Sequence, residues 1–379
     1  VISLRKLIYL FIIVVLAGAL FIGLDNAGLF SLTEKDTLVI GFPVALTGKL
    51  ASFGEASRNG ADIALNEINL QNGKYKLSIV YDDTKMDNAY ATSTVTKMVN
   101  IDNIKLIIGA GSSAEVLSIA PITEKNKVLL MVPTASADEI SNAGDFVFRT
   151  RDTAKLNSYK LAEYLIKKNV NEITVFSANT PNSLSYSKEF KSRYEQLGGK
   201  VKSYFEYLSS EQDFKTEIAK ADLKNDDVVY IAGATGIDSG LLVKQLSESS
   251  YNGKIFGTLS FDSKEFLEIS KKIDNEIIIT SPVIDSSNPK TANFILSYKS
   301  KYGTDPNTFA VNAYDSVYLL YDAAVDCGGQ ENTTCIRDYL YNVKDYNGAE
   351  GQISFDPNGD VIKEIGLKTL KEGKFIPIS

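Results

Sequence analysis

The chain has 379 residues, 44% of them apolar and 23% charged, with a net charge of −7 and no histidine. Without imidazole there is no Ser-His-Asp triad, most zinc sites are gone and the commonest general base is missing, so an enzyme is disfavoured. The acidic balance argues against nucleic acid, whose binders carry basic patches, and the length suggests two domains.

Arg5 and Lys6 precede the uncharged run Leu7–Leu24, long for a signal peptide and near the minimum that spans a bilayer. Positive residues ahead of the run leave the N-terminus in the cytoplasm and put the body outside. The run reads as an uncleaved membrane anchor. The alternative is a signal cleaved near Ala17-Gly18-Ala19, and no cysteine follows to carry a lipid. Residues 1–35 are thus expected to be anchor and linker, and the body to be exported on either reading.

From residue 36 strand and helix patterns alternate. Leu38–Phe42, Leu77–Tyr81, Leu106–Ile108 and Val128–Val132 read as strands, the last two being short apolar runs suited to a buried parallel sheet. Ala61, Ala64, Leu65 and Ile68 recur at helical spacing, and Gln71-Asn72-Gly73 supplies a stop. Asp82-Asp83, at a strand end, reads as loop charge rather than a cation site.

Two turns stand out, Gly109-Ala110-Gly111-Ser112-Ser113 and Pro133-Thr134-Ala135-Ser136, each closing an apolar run and opening a helix. Turns at strand C-termini are where open α/β sheets bind ligands. Free N–H groups at a helix start, with hydroxyls beside them, suit a carboxylate or phosphate. Ser112, Ser113, Thr134 and Ser136 are each ordinary candidates for helix N-caps. Their convergence on neighbouring turns is what points to a small anion. Gly109-x-Gly111-x-x-Ala114 has the form of a dinucleotide fingerprint, but Met131, Val132 and Pro133 stand where the ribose-binding acid belongs. No cofactor is expected.

The rhythm then repeats. Ile173–Phe176, Val201–Phe205, Val228–Ile231 and Ile255–Phe256 read as strands, with helices near 184–197, 213–222 and 239–250. Two such blocks argue for an α/β fold of two doubly wound lobes. The remainder holds a strand at Ile277-Ile278-Ile279, a long helix marked by Ala310, Ala313, Tyr314, Val317 and Leu320, and strand-like pieces at 353–355 and 366–378. That is too little for a third lobe. It should return to complete both, making a hinge and a cleft for a ligand. Cys327 and Cys335 flank a polar loop that closes as a disulfide in an oxidising compartment or leaves two thiols; export favours the bridge. Asn332-Thr333-Thr334 matches a glycosylation sequon, and Asp356-Pro357-Asn358-Gly359-Asp360 reads as a turn rather than a calcium loop.

Gly41-Phe42-Pro43-Val44-Ala45-Leu46-Thr47-Gly48, then Ala51–Glu55 and Gly60–Asn69, resemble the opening of type I periplasmic binding proteins, nearest the branched-chain amino-acid receptors of ABC transporters. Gly109–Ser113, Val132–Ser136, Phe148-Arg149 and Ala313-Tyr314-Asp315-Ser316 continue the likeness in order, over residues 36–379. The resemblance implies two lobes joined by a three-strand hinge, divided as 36–152 with 283–354 and 153–282 with 355–379. It implies an extracytoplasmic protein that captures an amino acid or similar solute for an ABC permease, without catalysis. A sensory ectodomain of the same fold is the alternative, with an NAD-using or amidase-like enzyme behind it.

Carried over by position, Ser113, Thr134, Ala135 and Ser136, with Ser112 beside them, would hold the ligand's polar groups. Phe53 and Phe309 would form aromatic walls. The second lobe departs from the pattern. Asn182 falls where amino-acid receptors carry a tyrosine, Thr235 lies near another, and Leu259 replaces the acid that accepts the ammonium. Asp238 or Asp262 is near enough in sequence to substitute.

Overall fold

The computed structural model describes residues 36–378. The anchor expected over 1–35, and its cleavage alternative, lie outside the described residues. Among the described residues no helix is long and apolar enough to cross a membrane.

Five parallel strands form the first sheet: β1 (Thr37–Val44), β2 (Lys76–Asp83), β3 (Leu106–Ile108), β4 (Leu129–Val132) and β5 (Val147–Arg149), in the order β2-β1-β3-β4-β5. Helices α1 (Ala51–Leu70), α2 (Asn88–Asn100) and α3 (Ser113–Lys125) make the crossovers. β3 and β4 are buried along their whole length, as apolar parallel strands covered on both faces must be.

A second sheet repeats the plan with β6 (Glu172–Ala178), β7 (Lys200–Tyr207), β8 (Val228–Ala232), β9 (Lys254–Gly257) and β10 (Ile277–Pro282), ordered β10-β9-β8-β6-β7 and parallel. Its helices are α4 (Ala154–Lys167), α5 (Pro181–Gln196), α6 (Lys215–Ala221), α7 (Gly236–Glu248) and the short α8 (Lys264–Ile269). In each sheet the chain winds outward in opposite directions from its first strand. A switch point therefore falls between β1 and β3, and another between β6 and β8.

After β10 come α9 (Pro289–Tyr302), α10 (Thr308–Asp326), α11 (Thr333–Tyr341) and a small ribbon, β11 (Tyr346–Asn347) with β12 (Gln352–Ile353). A hairpin, β13 (Ile365–Lys371) and β14 (Lys374–Pro377), then adds to β10 antiparallel. Its turn, Glu372-Gly373, has positive φ at both positions, the conformation tight hairpins need. α10 is buried on nearly every side and packs on α1. Gly60 permits this crossing, since a Cβ there would overlap the Ala310 carbonyl. The hydroxyls of Tyr314 and Tyr318, 2.6 and 3.0 Å from one Glu67 carboxylate oxygen, fix the pair in register. Cys327 at the end of α10 and Cys335 in α11 are disulfide-bonded.

The chain passes between the sheets at 150–153, at 283–288 and after Val361, which packs with Phe355 in the first sheet's core. Polar side chains tie these passages together. Arg149, fully buried, pairs through Nε with Asp360 and donates to the Ala137 carbonyl (2.8 Å) and Ser141 Oγ (2.6 Å). The Lys363 ammonium meets Glu350, the Thr150 carbonyl and Asn312 Oδ1. The 356–360 segment is a turn, with Asp356 Oδ1 accepting from the amides of Asn358 and Asp360. Asp83 is structural rather than loop charge: it accepts from the amides of Leu46 and Lys85 and from Thr47 Oγ1.

Candidate functional site

A cavity of about 300 Å³ lies between the two sheets, and most of its walls come from segments past strand C-termini, with Tyr186 and Phe309 added from helices. The first sheet contributes Leu50 and Phe53 after β1, Met86 after β2, Gly111–Ala114 after β3, Thr134–Ser136 after β4 and Arg151 after β5. Asn179–Asn182 follow β6, Ala234 follows β8 and Thr258–Ser260 follow β9. Both switch points thus open into one space, the place where doubly wound sheets bind ligands. The volume sits at the lower end of the ~300–1,000 Å³ typical of small-molecule sites.

On the first side, Ser112 is the N-cap of α3 and also lines the cavity. Its Oγ accepts from the Glu115 amide at 3.3 Å and contacts Glu115 Oε2 at 3.1 Å. Ser113 and Ala114 begin the helix, where N–H groups have no intrahelical acceptor. Ser113 Oγ accepts from the Ala137 amide (3.3 Å), which leaves its own proton for another acceptor. Thr134 differs: its hydroxyl donates to the Ala110 carbonyl, so its proton holds the two turns together. Ser136 and Tyr186 both line the cavity, and burial pushes the Tyr186 hydroxyl up to about 12. Gly109 takes φ +153°, and a Cβ there would lie 2.6 Å from the Pro43 carbonyl. It serves the tight seating of β3 beside β1 and does not line the cavity.

Phe53 and Phe309 stack with ring centroids 4.4 Å apart, and both face the cavity with Leu50 and Met86. Asn182 lines the opposite side, and its Oδ1 has no hydrogen-bond partner. Thr235 is a correction: it is 1% exposed and does not line the cavity. It caps α7 in a reciprocal box with Asp238, and Ala234 reaches the cavity instead.

The sequence reading missed Arg151. It is 3% exposed, lines the cavity and holds its guanidinium 5.5 Å over the Phe309 ring. Nη1 pairs with Asp152 Oδ1, Nη2 has one long contact to the Tyr186 hydroxyl (3.4 Å), and Nε meets no acceptor. Its signal was the charged doublet Arg151-Asp152 just past a strand.

Among the described residues no Asp or Glu lines this cavity. Leu259 does, so an apolar side chain stands where an ammonium acceptor was sought. Asp238 cannot replace it: Oδ1 accepts from the Thr235 amide and hydroxyl, and Oδ2 from Tyr207 (2.8 Å) and the Ala234 amide (3.0 Å). Asp262 lies off the lining, with burial raising its carboxyl above the ordinary range. No cluster of three metal-ligating side chains occurs among the described residues.

The two sides also touch outside the cavity. Ser52 Oγ donates to Glu265 Oε2 (3.0 Å) and Lys49 Nζ to the Ser209 carbonyl (3.3 Å). Ser185 Oγ accepts from the Asp138 amide (3.2 Å) and donates to Glu139 (3.0 Å).

The family model described as "Periplasmic binding protein" matches residues 37–373. The chain belongs to the periplasmic binding protein family. A Pseudomonas aeruginosa relative, the leucine-, isoleucine-, valine-, threonine- and alanine-binding protein, is 24% identical over 90% of this chain and 92% of its own. The crystal structure of the leucine-binding protein LivK from Thermotoga maritima superposes with a TM-score of 0.85 at 26% identity, covering 90% of this chain and 98% of the other. LivJ from Streptococcus pneumoniae, solved with isoleucine, gives a TM-score of 0.82 at 26% identity with the same coverage. The α/β architecture of parallel sheets described above is the type I fold of this family.

Proposed function

We propose that this periplasmic binding protein captures a small organic solute, an amino acid or a related acid, and presents it to an ABC permease outside the cytoplasm. One observation carries the reading: the ends of both sheets, at both switch points, wall a single cavity of about 300 Å³. Relatives named for the amino acids they bind support it. Residues 36–152 with 283–361 act as one lobe and 153–282 with 362–379 as the other, the last crossing falling later than 354 because Phe355 and Val361 pack in the first core, with residues 1–35 as a membrane tether. Ser113, Ala135 and Ser136 bind the ligand's polar end, and Thr134 sets the turn that presents them. Ser112 borders that end, Phe53 and Phe309 cover the apolar part, and Asn182 approaches from the second lobe. Closure is a population shift toward the conformation that contacts ligand from both sides, held by bridges such as Ser52–Glu265. No bond is made or broken.

Native mass spectrometry of solute carried through purification, followed by melting shifts, tests this. A solute at 100 times its Kd should stabilise the protein by ~2.7 kcal/mol. Small-angle scattering should show compaction on binding. Chemical turnover of the captured compound, or a bound state no more compact than the free one, would overturn the reading.

A further inference from the structure

We infer that the solute is a carboxylate that carries no ammonium group: a small unaminated acid with an apolar body. This rests on the cleft being a solute-capture site and narrows what it captures. The positive pole is built from Arg151. A guanidinium has five N–H donors in a fixed fork, and buried donors are nearly always satisfied. Here Asp152 takes one, Tyr186 holds another at 3.4 Å, and the Nε–H is left without an acceptor at a residue 97% buried on the cavity wall. A carboxylate supplies the missing acceptors with matching planar geometry. The Ser113 proton and the first-turn amides of α3 add uncharged donors on the same cavity.

Nothing comparable awaits a cation. Among the described residues no acid lines the cavity: Asp152 is held by Arg151 and Asn157, Asp238 by four donors, Glu265 takes the Ser52 hydroxyl, and Glu115 takes the Ser112 hydroxyl on Oε2 while its unpartnered Oε1 is buried off the lining. The hydroxyls of Thr258 and Ser260 are bonded to each other at 2.9 Å. The amide oxygens of Asn179 and Asn182, the latter unpartnered, are neutral acceptors on the lining, and no carboxylate stands there to offset a full charge taken out of water beside Arg151. The rest of the enclosure, Phe53, Phe309, Leu50, Leu259 and Met86, fits a hydrocarbon body.

The test is calorimetric titration of the full chain with matched pairs: 4-methylpentanoate against L-leucine, and 3-phenylpropanoate against L-phenylalanine, with L-leucinamide as the ammonium-only control. The expected result is an acid that binds at least about 30-fold tighter than its aminated partner, with no binding of the amide. Arg151→Gln should then weaken the acid by about tenfold or more, and Arg151→Lys should recover part of that loss. The ligand comparison in the unaltered protein stands even if the variants fold poorly. An amino acid that binds as tightly as its deaminated counterpart overturns the inference and leaves solute capture intact. Failure of every acid also overturns it, and a solute of another class found by native mass spectrometry would then show that capture itself survives.

Discussion

Ser113→Ala separates a side chain that binds ligand from one that only shapes the turn. Ser113 Oγ accepts from the Ala137 amide and retains its proton, whereas the Thr134 hydroxyl has spent its proton on the Ala110 carbonyl. One hydrogen bond to a charged group is worth ~1.5–3 kcal/mol, so Ser113→Ala should weaken binding of an acid by about 10- to 150-fold. The substitution also strips the acceptor from the buried Ala137 amide, which should cost ~1–3 kcal/mol of stability without ligand. Thr134→Val, close to isosteric, should lower stability similarly but change affinity less, because the lost bond is internal. Calorimetry gives the affinities, and urea denaturation without ligand gives the stabilities. If Thr134→Val weakens binding more than Ser113→Ala, the division of labour between these hydroxyls is wrong.

Gly60→Ala should cost ~1–3 kcal/mol by forcing α1 off α10, read as a lower denaturation midpoint; an unchanged midpoint would mean the crossing has room to spare. Burial raises the Asp138 carboxyl from 3.8 to about 6. Between these values the folded state holds more protons than the unfolded. Asp138's share of stability is therefore full below the unfolded pKa and lost as pH rises through about 6, at most ~3 kcal/mol. Asp138→Asn should flatten that part of the stability–pH curve, and parallel curves for the two proteins would count against the assignment. Replacing both Cys327 and Cys335 by Ser should lower stability by ~2.5 kcal/mol, from the loop entropy of a bridge spanning 8 positions. Titration of two free thiols in the oxidised protein would remove the bridge altogether.

The apolar runs 106–108 and 128–132 are legible as strands because buried parallel strands need no alternation, only an unbroken greasy core. β5 gives three residues and no periodicity, so Arg151 past its end looks like any surface charge until the fold buries it. The hydroxyl turns were visible for a related reason: a strand end followed by a helix start fixes where Ser112, Ser113, Thr134 and Ser136 must lie. Thr235 was misplaced although the sequence carried the correction. An acid three residues on, Asp238, is the signature of a reciprocal cap, and such a cap draws the threonine into its own helix. Helices α9 and α11 passed unmarked although both carry local signals: Asn288-Pro289 opens α9 and Gly303 closes it, and α11 starts at an Asn332 cap and turns Ile336 and Leu340 onto the first core. How the turns of the two halves meet depends on passages far apart in the chain, which no local pattern reports.

No wall of the cavity stands within a strand: most stand in the turns and helix starts beyond strand ends, with Tyr186 and Phe309 set on helices. Chemical preference is therefore written largely outside the sheets, although Phe53, Phe309 and Leu259 serve both the cavity and the cores. A lineage can exchange an asparagine for a tyrosine, or a leucine for an acid, on the rim while the sheets beneath keep their sequence and their strength. One scaffold can in this way drift from nutrient to nutrient without passing through an unfolded ancestor.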